Sequence, residues 1–130
     1  MGRDDQKKVL IVDDDNFLLD MYATKFREAG FSVSIAPSGA DAFGVLEKEA
    51  YDAILLDVVM PAPDGFEVLS KIKREKLAPD SLVIVLSNLG QKEDVDRGMG
   101  LGADDYIIKA HKTPREVVEK VEFLLSKKKS

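Results

Sequence analysis

The chain has 130 residues, of which 45% are hydrophobic and 33% charged, a length and apolar content suited to one folded domain with a buried core. It contains no cysteine, which excludes disulfides, thiolate metal sites and thiol nucleophiles, and its net charge of −5 argues against the broad basic surface used to bind nucleic acid. No apolar run approaches the ~20 residues of a membrane span, and the first eight residues lack the hydrophobic stretch of a signal peptide. A soluble, cytoplasmic domain without membrane contact is therefore expected.

Five short apolar runs read as strands. The first, Val9-Leu10-Ile11-Val12, is continuously apolar, as a strand buried on both faces should be. Leu18, Tyr22, Phe26 and Ala29 then recur at helical spacing, which predicts a first helix with one apolar face, stopped at Gly30. In the second run Phe31, Val33 and Ile35 alternate with serines, the pattern of an edge strand, and Ser38 beside Gly39 supplies helix-start chemistry. The third and fourth runs, Ala53-Ile54-Leu55-Leu56 and Leu82-Val83-Ile84-Val85-Leu86, are again continuous, and Tyr106-Ile107-Ile108 is the fifth. Pro114 marks the first turn of a last helix whose apolar face carries Val117, Val121, Leu124 and Leu125.

Strict alternation of strands with helix-length connections argues for a parallel sheet covered by helices on both faces and joined by right-handed crossovers. With the second strand at an edge, the pattern agrees with a flavodoxin-like, doubly wound α/β fold: five strands in the order 2-1-3-4-5, with five helices. Ligands in such sheets bind beyond the carboxyl ends of the strands, near the switch point between strands 1 and 3. Residues 1–7 are read as an N-terminal extension, 8–126 as the folded domain, and 127–130 as a basic tail. Lys127, Lys128 and Lys129 in that tail are read as solvated charge favourably placed at a helix C-terminus.

The chemistry concentrates at the predicted carboxyl ends. The first strand runs into Asp13-Asp14-Asp15 and the third into Asp57. Asp15 or Asn16 is read as a helix cap. Acids converging from two adjacent strands repel one another and raise each other's pKa unless a cation or proton compensates. A hard divalent ion is the natural partner, and Mg²⁺ commonly takes only one or two protein carboxylates plus phosphate oxygens. The fourth strand ends in Ser87 and the fifth in Lys109, which bring a hydroxyl and an ammonium to the same edge. Together these groups suit phosphoryl transfer to Asp57 as nucleophile, with Ser87 donating to a phosphoryl oxygen while Lys109 and the metal offset charge.

Four stretches, Val9 to Asp15, Leu55 to Pro61 followed by Asp64-Gly65, Ser87, and Gly102 to Lys109, resemble the receiver domains of two-component response regulators along nearly the whole chain. The resemblance implies that Asp57 is the phosphoacceptor. It also implies that Asp14 and Asp57 bind Mg²⁺, with Asp13 acting through water and the Val59 carbonyl as a further ligand. Ser87 would be the switch hydroxyl, Tyr106 the aromatic whose rotamer follows it, and Lys109 the phosphate-pairing lysine. Val59 and Leu89 would flank the path of the hydrolytic water and set the rate of dephosphorylation. The implied partners are a sensor histidine kinase or phosphotransfer protein, and a downstream target or an output domain outside this chain. The surface of helix 4, strand 5 and helix 5 would switch between the two states, in a monomer or a phosphorylation-dependent dimer.

Two positions depart from the family pattern. Ala110 stands where proline usually follows the lysine, so a trans Lys109–Ala110 bond is expected, because a non-proline cis bond costs roughly 3 kcal/mol. Asn88 stands where a smaller residue is common. His111, the only histidine, is read as an exposed loop residue. Two other readings fit less well. A haloacid-dehalogenase-like phosphatase wants an aspartate where Val59 stands, and a flavodoxin-like electron carrier would find its phosphate repelled by Asp13-Asp14-Asp15.

Overall fold

In the computed structural model, residues 6–128 are described; Met1 to Asp5, Lys129 and Ser130 lie outside the described residues, and with them most of the predicted extension and half of the predicted basic tail. The elements alternate throughout. They run β1 Lys8–Val12, α1 Asn16–Glu28, β2 Ser32–Ala36, α2 Gly39–Lys48, β3 Ala53–Leu56, α3 Gly65–Arg74, β4 Leu82–Ser87, α4 Lys92–Gly100, β5 Asp105–Ile108, a short 3₁₀ turn Lys109–His111, and α5 Pro114–Lys128. Lys127 and Lys128 thus continue the last helix. The five strands form one parallel sheet in the order β2-β1-β3-β4-β5, as the alternation of the sequence predicts.

Successive strand side chains point to opposite faces, so the core divides into two layers. One layer joins Val9, Ile11, Leu55 and Ile84 to α1 and α5; the other joins Leu10, Val12, Ile54, Leu56 and Val83 to Phe66, Val68, Leu69 and Ile72 of α3. Burial corrects three details of the sequence reading. In α1 the buried stripe is Leu19, Tyr22, Ala23 and Phe26, with Ala29 exposed as the C-cap, so the apolar face is rotated from the predicted one. In α5 Val118 takes the place beside Val117, Val121 and Leu125 that was assigned to Leu124. In β2 the alternation does not track burial: Phe31 is buried before the strand begins, whereas Ile35 is exposed. An edge strand lacks a neighbour on one side, so its apolar positions are only partly covered. Phe31 instead packs edge-to-face on Phe26, with ring centroids 5.0 Å apart.

Candidate functional site

Parallel pairing brings the ends of β1, β3, β4 and β5 to one edge, and each strand delivers a polar side chain there. Asp13, one residue past β1, is only 2% exposed, and its Oδ1 accepts the Asp15 N–H at 2.9 Å. Asp14 is exposed. Asp15 caps α1 by accepting the Leu18 N–H at 3.1 Å, as predicted for it. Three successive acids therefore have three different surroundings, a difference that spacing alone does not reveal.

Asp57 follows β3 and is 6% exposed; its N–H donates to the Val12 carbonyl at 3.0 Å, and its Oδ1 accepts the Val59 N–H at 3.0 Å. Gly65 makes this turn possible. A Cβ there would lie 2.1 Å from the Asp57 carbonyl oxygen and 2.3 Å from Val58 Cα, so no side chain fits. The chain re-enters α3 through a capping box in which Asp64 accepts the Glu67 N–H and Glu67 accepts the Asp64 N–H. Gly65 belongs to a motif visible in the sequence, but its reason is this close backbone approach.

Lys109, one residue past β5, closes the cluster. Its Nζ is 2.7 Å from Asp13 Oδ2 and 2.9 Å from Asp57 Oδ2, with its side chain 8% exposed. One ammonium is shared by two carboxylates. Burial disfavours the Lys109 ammonium, but its hydrogen bonds to Asp13 and Asp57 outweigh that and hold its pKa above the ordinary lysine value. For Asp13, burial pushes the carboxyl up, the bonds from Lys109 and the Asp15 amide pull it down, and the nearby Asp57 charge adds to the rise, for a net increase. Tyr22 of α1, taken from the sequence only as a core residue, lies in the same field. Its phenol is raised first by burial, against Lys109, and further by Asp13 and Asp57.

Ser87, the last residue of β4, is fully buried and its Oγ accepts the Leu89 N–H at 3.3 Å. An open cleft of about 380 Å³ connects Asp13, Asp14, Asp57, Ser87 and Lys109, with Val59 and Leu89 on its rim. Val59 is 56% exposed and Leu89 half-buried. Tyr106 sits behind the rim in β5, where its hydroxyl donates to the Leu89 carbonyl. Burial, with the charges of Asp94 and Asp57, pushes its phenol up to about 12. His111 is exposed in the 3₁₀ turn, and the Lys109–Ala110 bond is trans, the cis bond among the described residues being Ala62–Pro63.

Among the described residues no group of three acidic, histidine or cysteine side chains is gathered closely enough to hold a metal ion. Of the acids that the resemblance implies at a metal site, Asp13 and Asp57 are both bonded to Lys109, while Asp14 lines the same cleft from an exposed position. Two buried carboxylates offering oxygen alone still match what a hard, largely hydrated dication takes from a protein.

Comparison with known proteins now adds to this geometry. The profile of the response regulator receiver domain matches residues 9–122. Curated relatives include the regulatory protein VanRc of Enterococcus gallinarum, 38% identical over 92% of this chain and 50% of its own length. The response regulator SaeR of Staphylococcus aureus is 36% identical over 93% of this chain and 51% of its own. The chain thus spans about half the length of the curated relatives it matches. Among solved structures, the receiver domain of the Francisella response regulator 1452 superposes with a TM-score of 0.86 at 31% identity, covering 95% of this chain and 99% of that one. A CheY-like receiver domain protein from Methanospirillum hungatei gives the same score and identity, covering 95% of this chain and 97% of its own.

Proposed function

The chain belongs to the response regulator receiver domain family, and from that premise we propose that it is a phosphoacceptor switch in which Asp57 takes a phosphoryl group from a histidine kinase or phosphotransfer protein. One observation carries this reading: a buried carboxylate lies 2.9 Å from a buried ammonium at the floor of an open cleft, with a hydroxyl on the neighbouring strand. An Asp57 carboxylate oxygen attacks phosphorus, forming an acyl phosphate as the bond to the donor breaks and the donor leaves with the electron pair. Lys109 transfers its pairing from the Asp57 carboxylate to the anionic phosphoryl oxygens, while remaining held by Asp13. Ser87 donates its hydroxyl to another of those oxygens, and Tyr106, bonded to the carbonyl of Leu89 in the same loop, carries the movement toward α4. Asp14 and Asp57 with the Val59 carbonyl, and Asp13 through water, are the groups that would hold Mg²⁺, which would supply further neutralisation of the phosphoryl charge.

The proposed receiver body is residues 8–126, flanked by 1–7 and 127–130. No helix among the described residues is long and apolar enough to cross a membrane, and we place the chain's action in the cytoplasm, with no direct contact to nucleic acid. The phosphoryl signal would leave through the surface of α4, β5 and α5, toward a separate protein, a second copy or an output domain such as the longer relatives have room for. Intact mass after treatment with acetyl phosphate and Mg²⁺ tests the assignment. Wild type should gain one phosphoryl group and Asp57→Asn none; labelling of the variant at the wild-type level overturns it.

The same site sets the lifetime of the phosphoryl group. Val59 and Leu89 border the cleft and neither can orient a water or take its proton, so they shield the acyl phosphate and its hydrolysis is slow. Phosphate loss followed after removal of the donor should be faster in Val59→Asn/Leu89→Glu than in wild type at equal Mg²⁺. Equal rates would mean that the lifetime is set elsewhere.

A further inference from the structure

The residue after Ser87 holds the residue after Lys109. Asn88 Oδ1 accepts the Ala110 N–H at 2.8 Å, across 22 positions of chain. The need for this bond is local. Lys109–His111 forms a single 3₁₀ turn, whose first N–H groups have no partner within the turn, and Ile108 at its N-cap has no side chain able to accept them. Asn88 supplies that acceptor from the neighbouring strand end. The loop carrying Asn88 is also seated on the end of β5: a Cβ on Gly90 would lie 2.8 Å from Ile108 Cδ1. A hydroxyl and an ammonium that must converge on one ligand are thus joined through the backbone immediately beyond each.

We propose that Asn88 is a positioning residue whose amide clasps Ala110, so that the Ser87 loop and the Lys109 turn move as one unit around the phosphoryl group. The two departures from the family pattern, Asn88 and Ala110, then belong together, since a proline at position 110 has no N–H to be clasped. This role rests on the phosphoacceptor reading of the cleft, whereas the clasp itself is a property of the free protein.

Four proteins test it: wild type, Asn88→Ala, Ala110→Pro and the double variant. In wild type the Ala110 amide should exchange with solvent slowly for an exposed turn; in Asn88→Ala it should exchange at least about tenfold faster, with the melting temperature little changed. Loss of one hydrogen bond should weaken beryllofluoride binding in the presence of Mg²⁺, and slow acetyl phosphate labelling, by about threefold to tenfold. In the Ala110→Pro background, Asn88→Ala should change either quantity less than about twofold, because no donor remains there to be lost. Equal exchange at Ala110 in wild type and Asn88→Ala overturns the clasp, whether or not the proline variants fold. Faster exchange at Ala110 in Asn88→Ala with no effect on beryllofluoride affinity or labelling, or an equal Asn88→Ala penalty in both backgrounds, overturns its positioning role. If wild type neither binds beryllofluoride nor labels, the phosphoacceptor reading fails, and the positioning role with it, while the exchange measurement still decides the clasp.

Discussion

The helices that cover the two sides of the sheet are not equally anchored. On one side α1 buries Leu19, Tyr22, Ala23 and Phe26, and α5 buries Val117, Val118, Val121 and Leu125. On the other, α3 buries five residues, but α4 buries only Gly98. A buried Val, Leu or Phe side chain stabilises by about 1.5–3 kcal/mol, so α4 lacks the term that fixes α1, α3 and α5. It is held instead by its Gln91–Asp94 cap and by the Arg97 guanidinium 4.2 Å over the Phe66 ring. The acid–lysine cluster is carried by strand ends, whereas α4, set against Tyr106 through Gly98, has little buried surface to hold it.

The largest effect should come from emptying the anchored side. Phe26 is fully buried and packed edge-to-face with Phe31, so Phe26→Ala should cost about 4 kcal/mol, whereas Met99→Ala on α4, at a residue 43% exposed, should fall within about 0.5 kcal/mol of wild type. Denaturant midpoints measure both. Comparable losses would show that α4 is anchored as firmly as α1.

Lys109→Met comes next, because it removes the cation that the two buried carboxylates share. Breaking a buried pair in this way should cost about 3 kcal/mol at neutral pH. Lys109 has a raised folded pKa, so in wild type its stabilisation is complete below the ordinary value of 10.5 and is lost as pH rises through the folded value. Asp13 is also raised, so the folded state binds its proton more tightly than the unfolded chain does; that contribution is greatest below 3.8 and is lost as pH rises through the folded value. Without Lys109 the rise should be larger, and the deficit of the variant should shrink on acidification through the carboxylate range. A deficit independent of pH in that range would mean that lost packing, rather than unpaired charge, dominates.

What could be read from the sequence follows the same division. Continuous apolar strands ending in Asp13, Asp57, Ser87 and Lys109 were legible because parallel β/α order dictates which ends meet, and the observed register brings Asp13 and Asp57 to one lysine. The exposure of Asp14 was not legible, since three adjacent acids look alike until the backbone turns into α1. Nor was the clasp between Asn88 and Ala110, a contact between residues far apart in the chain that periodicity cannot register. The rotated stripe of α1 and the exposed Ile35 failed for a related reason: apolar spacing predicts that a face exists, while the neighbouring elements decide where it points.

The smallest effect tests the loose side most directly. Gly98 is the buried residue of α4, and a Cβ there would lie 2.9 Å from Cδ2 of Tyr106, so the ring occupies space that a side chain would need. In an unconstrained helix, replacing glycine by alanine stabilises by about 1 kcal/mol. Here the ring must move, which strains or breaks its hydrogen bond to the Leu89 carbonyl, worth about 0.5–1.5 kcal/mol net. The two terms nearly cancel, and Gly98→Ala should leave stability within about 0.5 kcal/mol of wild type. The displacement should instead register in the Tyr106 phenol, which titrates at about 12 in the folded protein against an ordinary value of 10.0. Since the unfolded chain releases that proton first, Tyr106 contributes stability that is complete below the unfolded value and is lost as pH rises from about 10 toward 12. A ring pushed toward solvent titrates closer to its ordinary value and weakens this alkaline loss. Site-resolved titration of labelled tyrosine in wild type and Gly98→Ala measures the shift. If the variant gains the full helix stabilisation while Tyr106 titrates as before, α4 has moved aside without disturbing the ring, and the packing of Gly98 on Tyr106 does not couple the two.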